Sequence, residues 1–176
     1  LGEDLEVSLL GLPKEEDWIL FAPYNDKTLM RDALAYHLAR LTNRYAVRSK
    51  YVEVVINGDY KGVYVLFEKI KRDKNRVGIS KNDPENVSGD AVTGGYIIKI
   101  DKMTDQAPGS WWQSPYISDG FKPVYYLYEF PKPEDINEYQ ENYIQNYFQS
   151  FETTLAGSEY SDPFTGYPEL LDVEAF

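Results

Sequence analysis

Cysteine is absent from the 176 residues, and histidine occurs once, at His37. The first absence excludes a disulfide framework, a thiolate metal site and a thiol nucleophile. The second leaves a zinc site or a Ser/His/Asp triad resting on one residue. His37 lies between Ala33 and Leu41 in a helical pattern and reads as a packed histidine. No apolar run approaches the roughly 18 residues that span a bilayer, and no signal peptide is visible. Phosphate-loop, dinucleotide and nucleophile-elbow signatures are also missing.

Positive charge is unevenly spread. The net charge is −11, and no Lys or Arg follows Lys132. Residues 44–77 hold nine Lys/Arg against four Asp/Glu, whereas residues 78–176 hold five against seventeen. Such an acidic field disfavours nonspecific nucleic-acid binding. The basic island suits a small anion such as a nucleotide, or is a solvated hairpin rich in lysine. With 43% hydrophobic residues the chain can build a core. Its 16 tyrosines read as half-buried packing residues or as a carbohydrate or partner surface.

The periodicities predict an α+β fold, an antiparallel sheet whose hairpin packs on helices. Leu29, Met30, Ala33, Leu34, His37, Leu38 and Leu41 recur at helical spacing, predicting about four turns with one buried face, capped by Asn25 or Asp26. Tyr51–Asn57 and Tyr60–Glu68 alternate around Asn57-Gly58-Asp59, predicting a hairpin whose outgoing strand is central and covered on both faces. Further strands are predicted at Gly94–Asp101 and Val124–Phe130, with polar loop at 78–93 and irregular chain at 103–120. A second helix is predicted from Pro133 to a cap at Gly157. Asp172 reads as the cap of a further helix, Val173–Phe176, that stops after four residues. The chain opens at Leu1 rather than Met, so both ends read as cut, and apolar surface there is expected to promote self-association.

Five residues stand out as candidate site residues, and Asp101 as a further carboxylate. Arg31 borders the apolar stripe of the first helix, where it either meets a carboxylate or phosphate or snorkels over the sheet edge. Glu68 ends a strand that reads as buried, so its carboxylate needs a cation or donor. Lys69, Lys71 and Arg72 follow at once, and a Lys held by Glu and aimed at phosphates recurs in phosphoryl transfer. Asp101, at a strand end, can bind a metal, cap a turn or pair with a lysine.

Several blocks, in order, resemble the CotH (spore-coat protein H) kinase-like family: LLGLPKEEDWIL, YNDKTLMRDALAYHLAR, YVEVVINGDYKGVYVLFEKIKR, GGYIIKID, YEFPKPEDINEYQENYI and DPFTGYPELLDVEAF. The family is similar to atypical, secretory-type protein kinases. The resemblance implies one incomplete domain over residues 1–176, with a lobe over 1–130 and the start of a helical part over 131–176. It implies ATP and a divalent metal, Mg or Mn, for the full-length parent, and transfer of the γ-phosphate to Ser or Thr of surface or coat proteins. Arg31, Glu68, Lys69, Lys71 and Arg72 then belong to the phosphate-facing region. It also implies a bacterial extracellular, cell-surface or spore-coat location. The family's metal-binding and acceptor-orienting carboxylates come after the position of Phe176, so this polypeptide alone is expected to be inactive. The alternative is a noncatalytic surface or cellulosome-associated module, with the exposed-looking Trp111-Trp112 pair as a binding platform.

Overall fold

The structure is a computed structural model, and it describes residues 5–117 and 122–173. It is α+β, as predicted, and divides into two compact units, Leu1–Gly78 and Ile79–Phe176. The first unit contains β1 (Trp18–Phe21), α1 (Arg31–Arg40), β2 (Ser49–Ile56) and β3 (Asp59–Glu68). The strands form one antiparallel sheet with β3 in the centre. Asn57 and Gly58, at φ 52° and 81°, make the two-residue turn between Ile56 and Asp59. Positive φ at both positions matches the right-handed twist of the flanking strands. A bulge between Val54 and Val55 shifts the register, with Gly62 (φ 103°) opposite Val54.

The predicted cover on both faces of the central strand holds for its last four residues, Val65 to Glu68, all buried, while Val63 nearer the turn is exposed. Val47, Val65 and Phe67 form the core of this unit, with Tyr36 packed against it. The Tyr36 ring meets Phe67 edge-on at 5.5 Å.

Helix α1 departs from its sequence pattern. It has 10 residues rather than four full turns, and none is buried. Leu29 sits at φ 59°, outside helical geometry, so the helix begins after it. Asp26 does not occupy the N-cap, which is Met30, but its carboxylate accepts the Arg31 and Thr28 backbone N–H groups across the preceding turn. The face turned inward carries Ala33, Tyr36 and Arg40. Leu34, Leu38 and Leu41 are exposed, and so is His37, which is therefore not a core histidine. The apolar stripe loses to Tyr36 because one ring reaches Phe67 and buries more surface than a leucine.

The second unit contains α2 (Asp90–Thr93), β4 (Ile97–Ile100), β5 (Trp111–Gln113), β6 (Tyr125–Phe130), α3 (Glu138–Ala156) and α4 (Tyr167–Leu170). Its sheet runs β4-β6-β5, all antiparallel. Strand β5 lies where irregular chain was predicted, and its two half-buried tryptophans point to opposite faces of the sheet. The Trp112 ring lies 5.2 Å from Tyr126, 4.9 Å from Tyr128 and 5.7 Å from Phe148 of α3. Trp111 packs edge-on to Tyr125 at 5.3 Å. The pair is half-buried packing and offers no flat exposed platform.

Helix α3 starts five residues beyond Pro133, at a capping box. Asn137 Oδ1 accepts the Gln140 N–H, and Gln140 Oε1 accepts the Asn137 N–H. Gln140 is fully buried, and its amide donates to Asn82 Oδ1 at 2.8 Å and to the Asp83 carbonyl at 2.6 Å. The polar loop before α2 is thereby fastened to the helix start. Gly157 is the C-cap, as predicted. The predicted helix Val173–Phe176 falls mostly outside the described residues.

Candidate functional site

Lys69, Lys71 and Arg72 gather where β3 ends and the chain turns through residues 69–77. Glu68 is 1% exposed, so its charge requires compensation. The compensation comes from Arg48, which directly precedes β2. Its Nε and backbone N–H donate to Glu68 Oε2 at 2.8 and 3.0 Å, and its Nη2 lies 2.7 Å from Oε1. The Tyr45 hydroxyl stands 3.5 Å from the same carboxylate. Burial, first, and then the Glu68 charge push the Tyr45 phenol up to about 12. Arg48 also donates through Nη2 to the Asn75 carbonyl, so one guanidinium spans the strand end and the following loop.

Lys71 faces an acidic run, Glu15-Glu16-Asp17, that precedes β1. Its ammonium lies 2.8 Å from Glu15, 2.9 Å from Asp17 and 3.7 Å from Glu16. Burial by itself would lower the Lys71 pKa, but the hydrogen bonds to Glu15 and Asp17 outweigh it and raise the value. Asp17 is held below its ordinary value, mainly by the hydrogen bond from Lys71. At Glu15 burial opposes the same shift, yet Lys71, the Glu16 N–H and Arg76 together win. Arg76 is buried at the centre of this cluster. It donates to the Lys69 carbonyl at 2.6 Å and the Asp17 carbonyl at 3.0 Å, and its guanidinium lies over the Trp18 ring at 5.6 Å.

The structure thus brings Lys69 and Lys71 to a shared partner, Asp17, with Lys69 at 3.8 Å and half-exposed. Arg72 sits beside them and bridges to Val77. Glu68 turns to Arg48 instead of to a lysine. Arg31 stands apart on α1, paired with Asp26 at 3.5 Å, its side chain 78% exposed. Asp101 caps its own turn by accepting the Lys102 N–H at 2.7 Å. Sequence reasoning missed Arg48, Arg76 and the partner role of residues 15–17.

Beside this cluster lies an apolar cleft of about 220 Å³, lined by Ile19, Phe21, Tyr36, Val47, Phe67 and Ile70, with Asp32 and Glu68 at its edge. Ile70 of its wall lies between Lys69 and Lys71 in sequence, and neither lysine lines the recess itself. A recess of this kind suits a flat apolar group. The carboxylates of Glu15, Glu16 and Asp17 come within 4.8 Å of one another, and hard oxygen donors of this kind suit Mg or Mn. The Lys71 ammonium, however, already sits on two of them, and Arg76 lies 3.7 Å from Glu15. The trio is neutralised from within and does not fit a resident divalent ion.

An α+β protein with a cation-bearing loop on a central strand and an adjoining apolar cleft is the class that fold and site define. The family model described as CotH kinase protein matches residues 2–176, and the chain belongs to the CotH family. No curated protein and no solved structure matches it.

Proposed function

We propose that this chain supplies the nucleotide contacts of a CotH-type kinase that moves the γ-phosphate of ATP to Ser or Thr of surface or coat proteins, outside the bacterial cell or on the spore coat. The observation that carries the reading is Lys71. Its ammonium is fixed between two carboxylates yet remains 28% exposed, one residue from the wall of an apolar cleft. A charge held in place stabilises phosphate oxygens without the cost of reorganising at the moment of reaction. Lys69 and Arg72 stand in the same loop, while Glu68 acts through the strand end it anchors. Arg31, exposed and paired with Asp26 on α1, is the outlying candidate. A divalent metal, when bound with ATP, neutralises phosphate charge, and its protein ligands are sought outside Glu15, Glu16 and Asp17. The half-buried tryptophan pair gives the noncatalytic reading no binding platform.

The test is phosphorylation of coat-type proteins with labelled ATP and Mg or Mn, using the product of the complete gene beside residues 1–176. Transfer by the complete product and none by residues 1–176 is expected. A complete product that neither binds nor consumes ATP refutes the proposal.

A further inference from the structure

We infer that Arg48 is a positioning residue for the nucleotide-contacting loop, setting where Lys71 stands without touching the ligand itself. The inference rests on the nucleotide-binding reading above and adds a residue that reading does not use. One guanidinium makes two kinds of bond. It closes on Glu68 through Nε and Nη2, and it donates to the carbonyl of Asn75. Glu68 is the last residue of β3, and Asn75 lies on the far side of the turn that carries Lys69, Lys71 and Arg72. The chain between these two anchors is therefore pinned at both ends by Arg48.

A second arginine, buried where Arg48 is half-exposed, fastens the middle of the same device. Arg76 holds the Lys69 carbonyl and the Asp17 carbonyl, so the loop is tied to the acidic run that receives Lys71. Backbone bonds close the turn from inside, with Asp73 N–H to the Val77 carbonyl at 3.1 Å and Val77 N–H to the Lys71 carbonyl at 3.3 Å. Of these ties, only those of Arg48 lead back to the central strand. The planar guanidinium holds the carboxylate and the carbonyl in one fixed geometry, and a lysine ammonium, a compact charge on a flexible stem, does not reproduce it.

The experiment compares wild type with Arg48→Lys and Arg48→Met at a temperature where all three are folded by circular dichroism. Binding of the Mg complex of a nonhydrolysable ATP analogue is measured by calorimetry, and hydrogen exchange is followed at the amides of Asp73, Arg76 and Val77. Arg48→Lys keeps a positive charge beside Glu68, so a merely structural ion pair would leave affinity in the folded state unchanged. The positioning role predicts a loss of about tenfold in affinity for Arg48→Lys, the equivalent of about one charge-assisted hydrogen bond to the ligand. It also predicts faster exchange at the three loop amides, with amides of β6 unchanged. Affinity within twofold of wild type for Arg48→Lys overturns the positioning role and leaves the nucleotide reading standing. Absence of binding by wild type overturns both.

Discussion

The two units reach stability by different chemistry. The first has a small apolar core, Val47, Val65 and Phe67, and is cross-linked by charge: Arg48 on Glu68, Lys71 on Glu15 and Asp17, Arg76 on two carbonyls. The second is built mainly from aromatic rings around Trp112 and from amides and hydroxyls, with Lys99 and Lys132 paired to Glu129 at its sheet. Gln140 fastens the loop before α2, and Glu152 accepts from the Tyr126 hydroxyl at 2.7 Å and from Ser114. The charge balance follows the same division. Through Gly78 the chain carries 13 Lys/Arg and 12 Asp/Glu, and beyond it 5 and 17. On the proposed reading, the unit that meets an anionic ligand keeps its cations oriented by carboxylates, whereas the other holds its shape by ring packing. The lesson is that buried ion pairs here mark where position matters more than net stability, since such pairs seldom improve on well-packed apolar groups.

The comparison can be broken at its strongest point in the second unit. Leu127 is 1% exposed in the central strand β6, and Leu127→Ala should cost about 2–5 kcal/mol through lost transfer energy and an unfilled cavity. Hydrogen exchange on the full chain should show the loss in β4, β5 and β6, with β2 and β3 keeping their protection. Gln140→Leu comes next. It keeps the volume but removes the amide donor to Asn82 Oδ1 and the Asp83 carbonyl and the acceptor of the Asn137 N–H, at about 1–3 kcal/mol. The amides of residues 82–92 should exchange faster, a readout that a simple helix-propensity effect would not move.

Acid should separate the units further. Hydrogen bonds from the Arg31 N–H and the Thr28 hydroxyl, ahead of the opposing effect of burial, lower the Asp26 pKa from 3.8 to about 2. A depressed carboxyl contributes stability that is complete above its unfolded value and fades as pH falls through its folded one. The α1 end of the first unit should therefore loosen between about pH 4 and about pH 2. Asp26→Asn should flatten that part of a stability–pH curve while leaving neutral-pH folding cooperative. The smallest effect is expected at Leu38, which is 54% exposed. Leu38→Ser should change stability by less than about 0.5 kcal/mol in urea unfolding, as surface substitutions do. A loss of several kcal/mol there would restore the buried stripe that the periodicity predicts.

The sequence carried the hairpin clearly because Asn57-Gly58 dictates its own backbone. It carried β6 and the C-cap at Gly157 for similarly local reasons. Helix α1 was half legible: its existence followed from periodicity, but its inner face was decided by Tyr36 meeting Phe67 from another element. Strand β5 was illegible, since three residues between loops leave no period to read. At the candidate site the basic loop was visible as composition, and the burial of Glu68 followed from the strand pattern. Its partner was hidden by register. An uninterrupted two-residue hairpin sets Arg48 opposite Phe67, and the bulge at Val54/Val55 moves it by one residue, opposite Glu68. The acidic run at 15–17 was hidden by distance along the chain, because only the pairing of β1 with β3 brings it to Lys71.

The most direct measurement is titration calorimetry of the Mg complex of ATP against the wild-type chain and Lys71→Met. Binding by wild type, weakened tenfold or more by the loss of the fixed ammonium (about 1.4 kcal/mol or more), is the predicted result. Equal affinity for the two proteins would contradict the account, because the phosphates would then be read somewhere other than at the end of the central strand.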